Sequence, residues 1–272
     1  MKVDSNGVTL DVQVEGEGPP ILLIHGFPDT KRLWSKQSAE LVDAGFQVVS
    51  YDQRGYGASD RPAEIDAYSI VFLAIDATAV LDAVGAERAH VVGHDWGAAV
   101  AWATAAFAPD RVDHLVALSV GHPSAFATAG LGQREKSWYM LMFQFAPQAE
   151  QWLTMNDGAN FRSWSSHPDF DAVFAELARD ASLTPALNYY RANVGPDTLV
   201  GDPIALPPIQ APTMGILGAN DFALTEAQMT GSAAFCEHSF RFERIEGAGH
   251  WLPWETPDAV NALLLDFLPN PR

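Results

Sequence analysis

The segment Gly93-His94-Asp95-Trp96-Gly97 sets a carboxylate between two glycines, after a short apolar run and before an Ala-rich stretch. This is the small-x-nucleophile-x-small pattern of a strand-to-helix elbow, in which the central residue sits on a strained turn and the flanking positions have no room for a side chain. Asp95 could instead cap the following helix, but a cap does not account for the paired glycines. Serine is the usual nucleophile at such an elbow. An aspartate is already ionised at neutral pH and can displace a leaving group from an sp³ carbon, giving an alkyl ester of the enzyme. Hydrolysis of that ester requires a base, an acid to orient it and donors for the oxyanion. His250, in Gly247-Ala248-Gly249-His250-Trp251, is the candidate base; Asp221, in Leu217-Gly218-Ala219-Asn220-Asp221, is the candidate orienting acid. The order nucleophile, acid, histidine is the one this architecture uses. His25-Gly26-Phe27-Pro28 follows another apolar run, and its turn can aim the Phe27 N–H, together with the Trp96 N–H, as the oxyanion hole. Phe27–Pro28 is a candidate cis peptide.

These loops need a scaffold whose strands end together. Val8–Val14 alternates as a half-buried strand. Ile21–Ile24, Phe46–Tyr51, His90–Val92 and Val112–Val120 read as buried strands, with helices over Leu33–Ala44, Ser69–Val84 and Gly97–Ala108 between them. Such alternation predicts an α/β fold with a mostly parallel central sheet flanked by helices. After Gly121-His122-Pro123 strand signals stop, and a helical segment rich in Trp, Tyr, Phe and Met follows. A return path over 195–212 carries Pro196, Pro203, Pro207, Pro208 and Pro212. Strand over Thr213–Leu217, helix over Glu226–Cys236, strand over Phe240–Ile245 and helix over Pro257–Leu268 resume the alternation. The expected organisation is a core of 1–121 and 209–272 interrupted by an all-helical cap with its proline-rich linker, 122–208, closing a pocket beyond the strand carboxyl ends.

Composition narrows the rest. The 272 residues are 48% hydrophobic, which excludes intrinsic disorder. A formal charge of −18 argues against nucleic acid and anionic membrane surfaces as partners. The one cysteine, Cys236, excludes an intrachain disulfide and a thiolate metal cluster. No run is long and apolar enough to span a bilayer, and the first residues lack a secretion signal, so a cytoplasmic protein is expected; the two-step ester chemistry read above needs no metal or cofactor. Aromatic cap surfaces suit either a pocket or a homodimer contact, and the sequence leaves both open.

Taken together, HGFP at 25–28, DQRGYGASD at 52–60, GHDWG at 93–97, Asp221 and GAGHW at 247–251 resemble the α/β-hydrolase superfamily, and within it the epoxide hydrolases, from about Val8 to Leu268. The resemblance implies two cap tyrosines whose phenols hydrogen-bond the epoxide oxygen. Ala186-Leu187-Asn188-Tyr189-Tyr190-Arg191 matches one motif and offers Tyr190, with Tyr189 as the substitute if the register is off by one. Ser137-Trp138-Tyr139-Met140-Leu141-Met142-Phe143-Gln144 matches the other and offers Tyr139. A phenol suits the task because it stays protonated at neutral pH. An apolar pocket lined by Phe27, Trp96, Trp138, Phe143 and Trp251 would then take a small apolar epoxide. Trp138 and Phe143 could equally be cap core, and Trp164 and Met142 are further candidates. Two other readings share the residues. A haloalkane dehalogenase would use the same Asp95-Trp96 pair but leaves the tyrosines unexplained. A non-catalytic binding protein would not need the full set.

Overall fold

The computed structural model describes residues 1–178, 182–196 and 206–269. Eight strands form one sheet in the order β1-β2-β4-β3-β5-β6-β7-β8: Lys2–Ser5, Val8–Glu15, Pro20–Ile24, Gln47–Asp52, Ala89–His94, Val112–Leu118, Thr213–Gly218 and Phe240–Ile245 are β1 to β8. The pairs β1·β2 and β2·β4 are antiparallel and the other neighbours are parallel. In β3, Leu22 and Ile24 enter one apolar core and Ile21 and Leu23 the other, so the strand is covered on both faces. In β2, Val8, Leu10 and Val12 face inward and the intervening residues are partly exposed. Helices Ser35–Asp43 (α1), Ile70–Ala83 (α2) and Trp96–Phe107 (α3) cover the first part of the sheet, and the alanines of α3 let it lie close against it.

Several boundaries differ from the sequence expectation. The short polar segment Lys2–Ser5 is a strand because it completes the antiparallel edge against β2. The strand expected to reach Val120 stops at Leu118, where Ser119 turns to φ +70°. The helix expected over Glu226–Cys236 is α-helical only over Glu226–Thr230 and tightens to a 3₁₀ turn from Gly231 to Phe235.

Between β6 and β7 the described residues form six helices: Pro123–Thr128 (α4), Leu131–Lys136 (α5), Trp138–Met142 (α6), Gln148–Ser165 (α7), Phe170–Ala178 (α8) and Leu183–Asn193 (α9). Left-handed backbone at Asn156, Asp157 and Gly158 breaks α7 into two segments. Of the proline-rich return path, residues 197–205, with Pro203, lie outside the described residues. The inserted helices are tied to the core by buried polar contacts. His167 Nε2 lies 3.1 Å from Asp29 Oδ2, and the Trp251 indole donates to the Ser165 carbonyl at 2.8 Å. Among the described residues no helix is long and apolar enough to cross a membrane.

Candidate active site

β3, β5, β7 and β8 deliver four loops to one end of the sheet. β5 ends at His94, and Asp95 turns the chain into α3 with φ 54° and ψ −122°, a strained conformation for a residue with a side chain. The flanking glycines are required by contact: a Cβ on Gly93 would stand 2.1 Å from the Gly97 carbonyl oxygen, and one on Gly97 2.0 Å from that of Ile24. Trp96 is the first residue of α3.

The two carboxylate oxygens of Asp95 have different surroundings. Oδ1 accepts the Phe27 N–H at 2.8 Å, and Oδ2 lies 3.6 Å from His250 Nε2. The turn that presents the Phe27 N–H contains the cis Phe27–Pro28 peptide. His250 Nδ1 donates to Asp221 Oδ2 at 2.9 Å, and Asp221 Oδ1 in turn accepts the N–H groups of Ala223 and Leu224 at 2.8 and 2.9 Å. The His250 carbonyl is held by His94 Nε2 at 2.9 Å and Ser119 Oγ at 3.1 Å, two contacts that sequence reasoning did not assign. His94 stood unread inside the elbow motif, and Ser119 carries no motif at all.

Burial opposes a charge on the His250 ring, but Asp221 and then Asp95 outweigh it and hold its pKa up at about 10. Burial likewise works against ionised Asp221, yet the His250 ring and the two backbone N–H groups keep its carboxyl below the usual range. Tyr139 and Tyr190 are 3% and 2% exposed, and burial followed by the nearby Asp95 carboxylate raises both phenols well above their ordinary value. Both phenols are therefore neutral at physiological pH, as a hydrogen-bond donor to a ligand oxygen must be.

Asp95, Trp96, Tyr139 and Tyr190 together line one cavity of about 120 Å³. Apart from Asn193 its other walls are apolar and include Ala99, Val120, Phe126, Met140 and Leu224. The adjacent tyrosines of α9 have separate positions. Tyr190 faces this cavity, its ring 5.1 Å from that of Trp96 and 6.0 Å from that of Tyr139. Tyr189 donates its hydroxyl to the Arg54 carbonyl at 2.8 Å, inside the core, where Arg54 is itself in a buried ion pair with Asp76.

The expected pocket lining needs correction. Trp138 is 47% exposed and packs its ring against Trp152, because the one-turn-plus helix α6 can point only one side toward the cavity and Tyr139 and Met140 occupy that side. Phe143 is fully buried behind the wall, against Phe27, Tyr139 and Tyr190. Phe27 and Trp251 are also packing residues: Phe27 meets Phe143, Phe161 and Tyr190, and Trp251 meets the His250 ring at 4.6 Å. Trp164 packs on Tyr139 at 4.8 Å, and Met142 packs on the core. Phe126, Met140 and Leu224, which do line the cavity, sit in stretches where every apolar residue looks alike in sequence. Among the described residues no group of three or more His, Cys, Asp or Glu is arranged to hold a metal ion.

Residues 19–257 match the family model described as the alpha/beta hydrolase fold. The chain is 36% identical to Epoxide hydrolase A of Mycobacterium tuberculosis, over 98% of this chain and 96% of that protein. It is 34% identical to the AB hydrolase superfamily protein YfhM of Bacillus subtilis, over 98% and 97%. Among solved structures, one of the novel epoxide hydrolases from metagenomes of hot environments superposes with a TM-score of 0.89 at 30% identity, covering 99% of this chain and 98% of that one. The Bacillus megaterium epoxide hydrolase in complex with an inhibitor also superposes with a TM-score of 0.89, at 26% identity over 98% and 99%. With fold, loop order and relatives in agreement, the chain belongs to the α/β-hydrolase family, in its epoxide hydrolase branch.

Proposed function

We propose that this protein hydrolyses small apolar epoxides to vicinal diols through an ester formed on Asp95. The observation that carries this reading is one carboxylate shared by two settings: Asp95 faces His250 on one side and, on the other, a cavity walled by Tyr139 and Tyr190. In the first step Asp95 Oδ2 attacks an epoxide carbon in line with the breaking C–O bond. The phenols of Tyr139 and Tyr190 donate to the departing oxygen, and one of them gives up its proton as the ring opens.

Ester formation removes the negative charge of Asp95. The support that carboxylate gave to the His250 imidazolium goes with it, so the imidazole pKa falls from about 10 and the ring releases a proton that restores the phenol. His250, still oriented by Asp221, then takes a proton from water, and the hydroxide adds to the Asp95 acyl carbon. The developing oxyanion is Oδ1, already against the Phe27 N–H, with the Trp96 N–H as the second donor. The tetrahedral species collapses by breaking the acyl C–O bond, the diol leaves with a proton, and the Asp95 carboxylate and His250 imidazolium are regenerated. The same charge change that ends one step thus prepares the base for the next. A cavity of about 120 Å³ with mostly apolar walls suits a small aryl or alkyl epoxide.

Single turnover of an aryl epoxide in ¹⁸O water tests the reading. The expected result is label in the Asp95 carboxylate and none in the diol. Label in the diol would mean direct attack of water on the epoxide, and halide release from a bromoalkane in place of diol formation would assign the site to dehalogenation.

A further inference from the structure

Gln133, on α5, is 1% exposed and makes four hydrogen bonds. Its Nε2 donates to Ser137 Oγ at 3.0 Å and to the Ala223 carbonyl at 2.9 Å, while its Oε1 accepts the Thr225 N–H and the Thr225 hydroxyl, both at 2.9 Å. Two donors and two acceptor sites are the whole capacity of an amide side chain, so its orientation is fixed from both sides. One partner is in the cap: Ser137 directly precedes α6, which carries Tyr139. The other two are in the core, on the loop that follows Asp221. The Ala223 N–H that binds Asp221 Oδ1 belongs to the residue whose carbonyl Gln133 holds. Nearly one turn further along α5, Lys136 Nζ donates to the Asp221 carbonyl. Leu224, between the two core residues gripped by Gln133, lines the cavity.

We infer that Gln133 is a positioning residue that holds the ring-opening phenol of Tyr139 and the Asp221–His250 pair in one frame across the cap–core boundary. It touches neither substrate nor reacting atoms. The inference rests on the roles proposed above for Tyr139 and Asp221. A change at Tyr139 acts on ester formation, and one at Asp221 acts on ester hydrolysis. Gln133 is connected to both, so its loss slows both half-reactions.

The test is Gln133→Met, which keeps length and burial and removes all four bonds, with Thr225→Val as a milder second variant that removes one. Stopped-flow measurement of ester formation and ester decay should show both rate constants lowered about tenfold in Gln133→Met, the kinetic equivalent of about one lost hydrogen bond in each transition state, and both lowered less in Thr225→Val. A folded variant in which only one rate constant falls, or neither, overturns the inference. A substrate-free readout separates this outcome from failure of the epoxide reading: the low-field Nδ1–H proton resonance of His250 should shift or broaden in Gln133→Met. An unchanged resonance overturns the inference whatever the enzyme turns over.

Discussion

Two histidine pairs occupy opposite ends of the parallel strands, with ring centroids 5.0 Å apart in each. His90 and His114 stand near the starts of β5 and β6, and His94 and His250 near the strand carboxyl ends. At the first end the neighbours are the aromatic rings of Phe46 and Phe267, and burial, then His114, lowers the His90 pKa to about 4. At the other end His94 is likewise lowered to about 4, by burial and then by His250, while His250 itself is raised to about 10 by Asp221 and Asp95. Of the four histidines, His90, His94 and His250 are buried and His114 is half-buried. Asp113 near His90, and Asp95 near His94, do not outweigh burial, and both rings stay neutral; Asp221, in direct hydrogen-bond contact with His250, together with Asp95 does outweigh it and holds that ring charged.

The comparison is broken most severely by Asp95→Asn. Turnover of an aryl epoxide should fall by at least about 10⁴-fold, as when an enzyme loses its nucleophile, and the His250 pKa should drop from about 10 when followed by NMR titration. Undiminished activity in a homogeneous, non-deamidated preparation would remove Asp95 from its role. Asp221→Asn takes away the other carboxylate. Ester decay should slow by roughly 10²–10⁴-fold, with the substrate mass accumulating on the protein in intact mass spectra, while ester formation changes much less.

A smaller effect separates the two tyrosines of α9. Tyr190→Phe should slow ester formation by about 10–100-fold, at the low end of what general acid assistance contributes, and leave ester decay near its original rate. Tyr189→Phe removes the bond to the Arg54 carbonyl, so it should cost about 1 kcal/mol of stability in denaturant melts and leave both rates unchanged. If the two variants exchanged phenotypes, Tyr189 would be the acting phenol.

The smallest effect is on acid stability. Unfolded histidines take up protons below about pH 6.5, but folded His90 does so only near 4, so falling pH favours the unfolded chain across that window. His94 and His122, also lowered to about 4, act in the same direction. His250 has the opposite sign: its contribution is complete below about pH 6.5 and is lost as pH rises through about 10. His90→Val should therefore shrink the difference in unfolding free energy between pH 7 and pH 5 by up to about 2 kcal/mol, measured by urea melts at both values. An unchanged difference would show that His90 titrates normally.

The core of this molecule was legible in sequence because its signals are local. Apolar runs such as Ile21–Ile24 become strands wherever both faces are covered, and the spacing of Gly93 and Gly97 encodes a collision that only glycine avoids. The loops bearing Asp221 and His250 follow β7 and β8 directly, so locating the strands located them. The helices between β6 and β7 were less legible. Most are short, and which aromatic side chain faces inward depends on packing against distant residues. Sequence offered Trp138 and Phe143 for the pocket, yet Trp138 is turned outward and Phe143 lies behind the wall. The same ambiguity covered Tyr189 and Tyr190 until the Arg54 carbonyl distinguished them. Gln133 carries no motif, since its four partners are assembled only by the fold.

The squeeze at Gly93 and Gly97 bears on how such an enzyme can diversify. A methyl group at either position would collide with the main chain of the elbow or of β3, so the turn that presents Asp95 is closed to gradual change at its two glycines. The size and shape of the cavity are open to change at side chains a helix or loop away, such as Phe126, Met140 and Leu224, each able to grow or shrink while the elbow stays put.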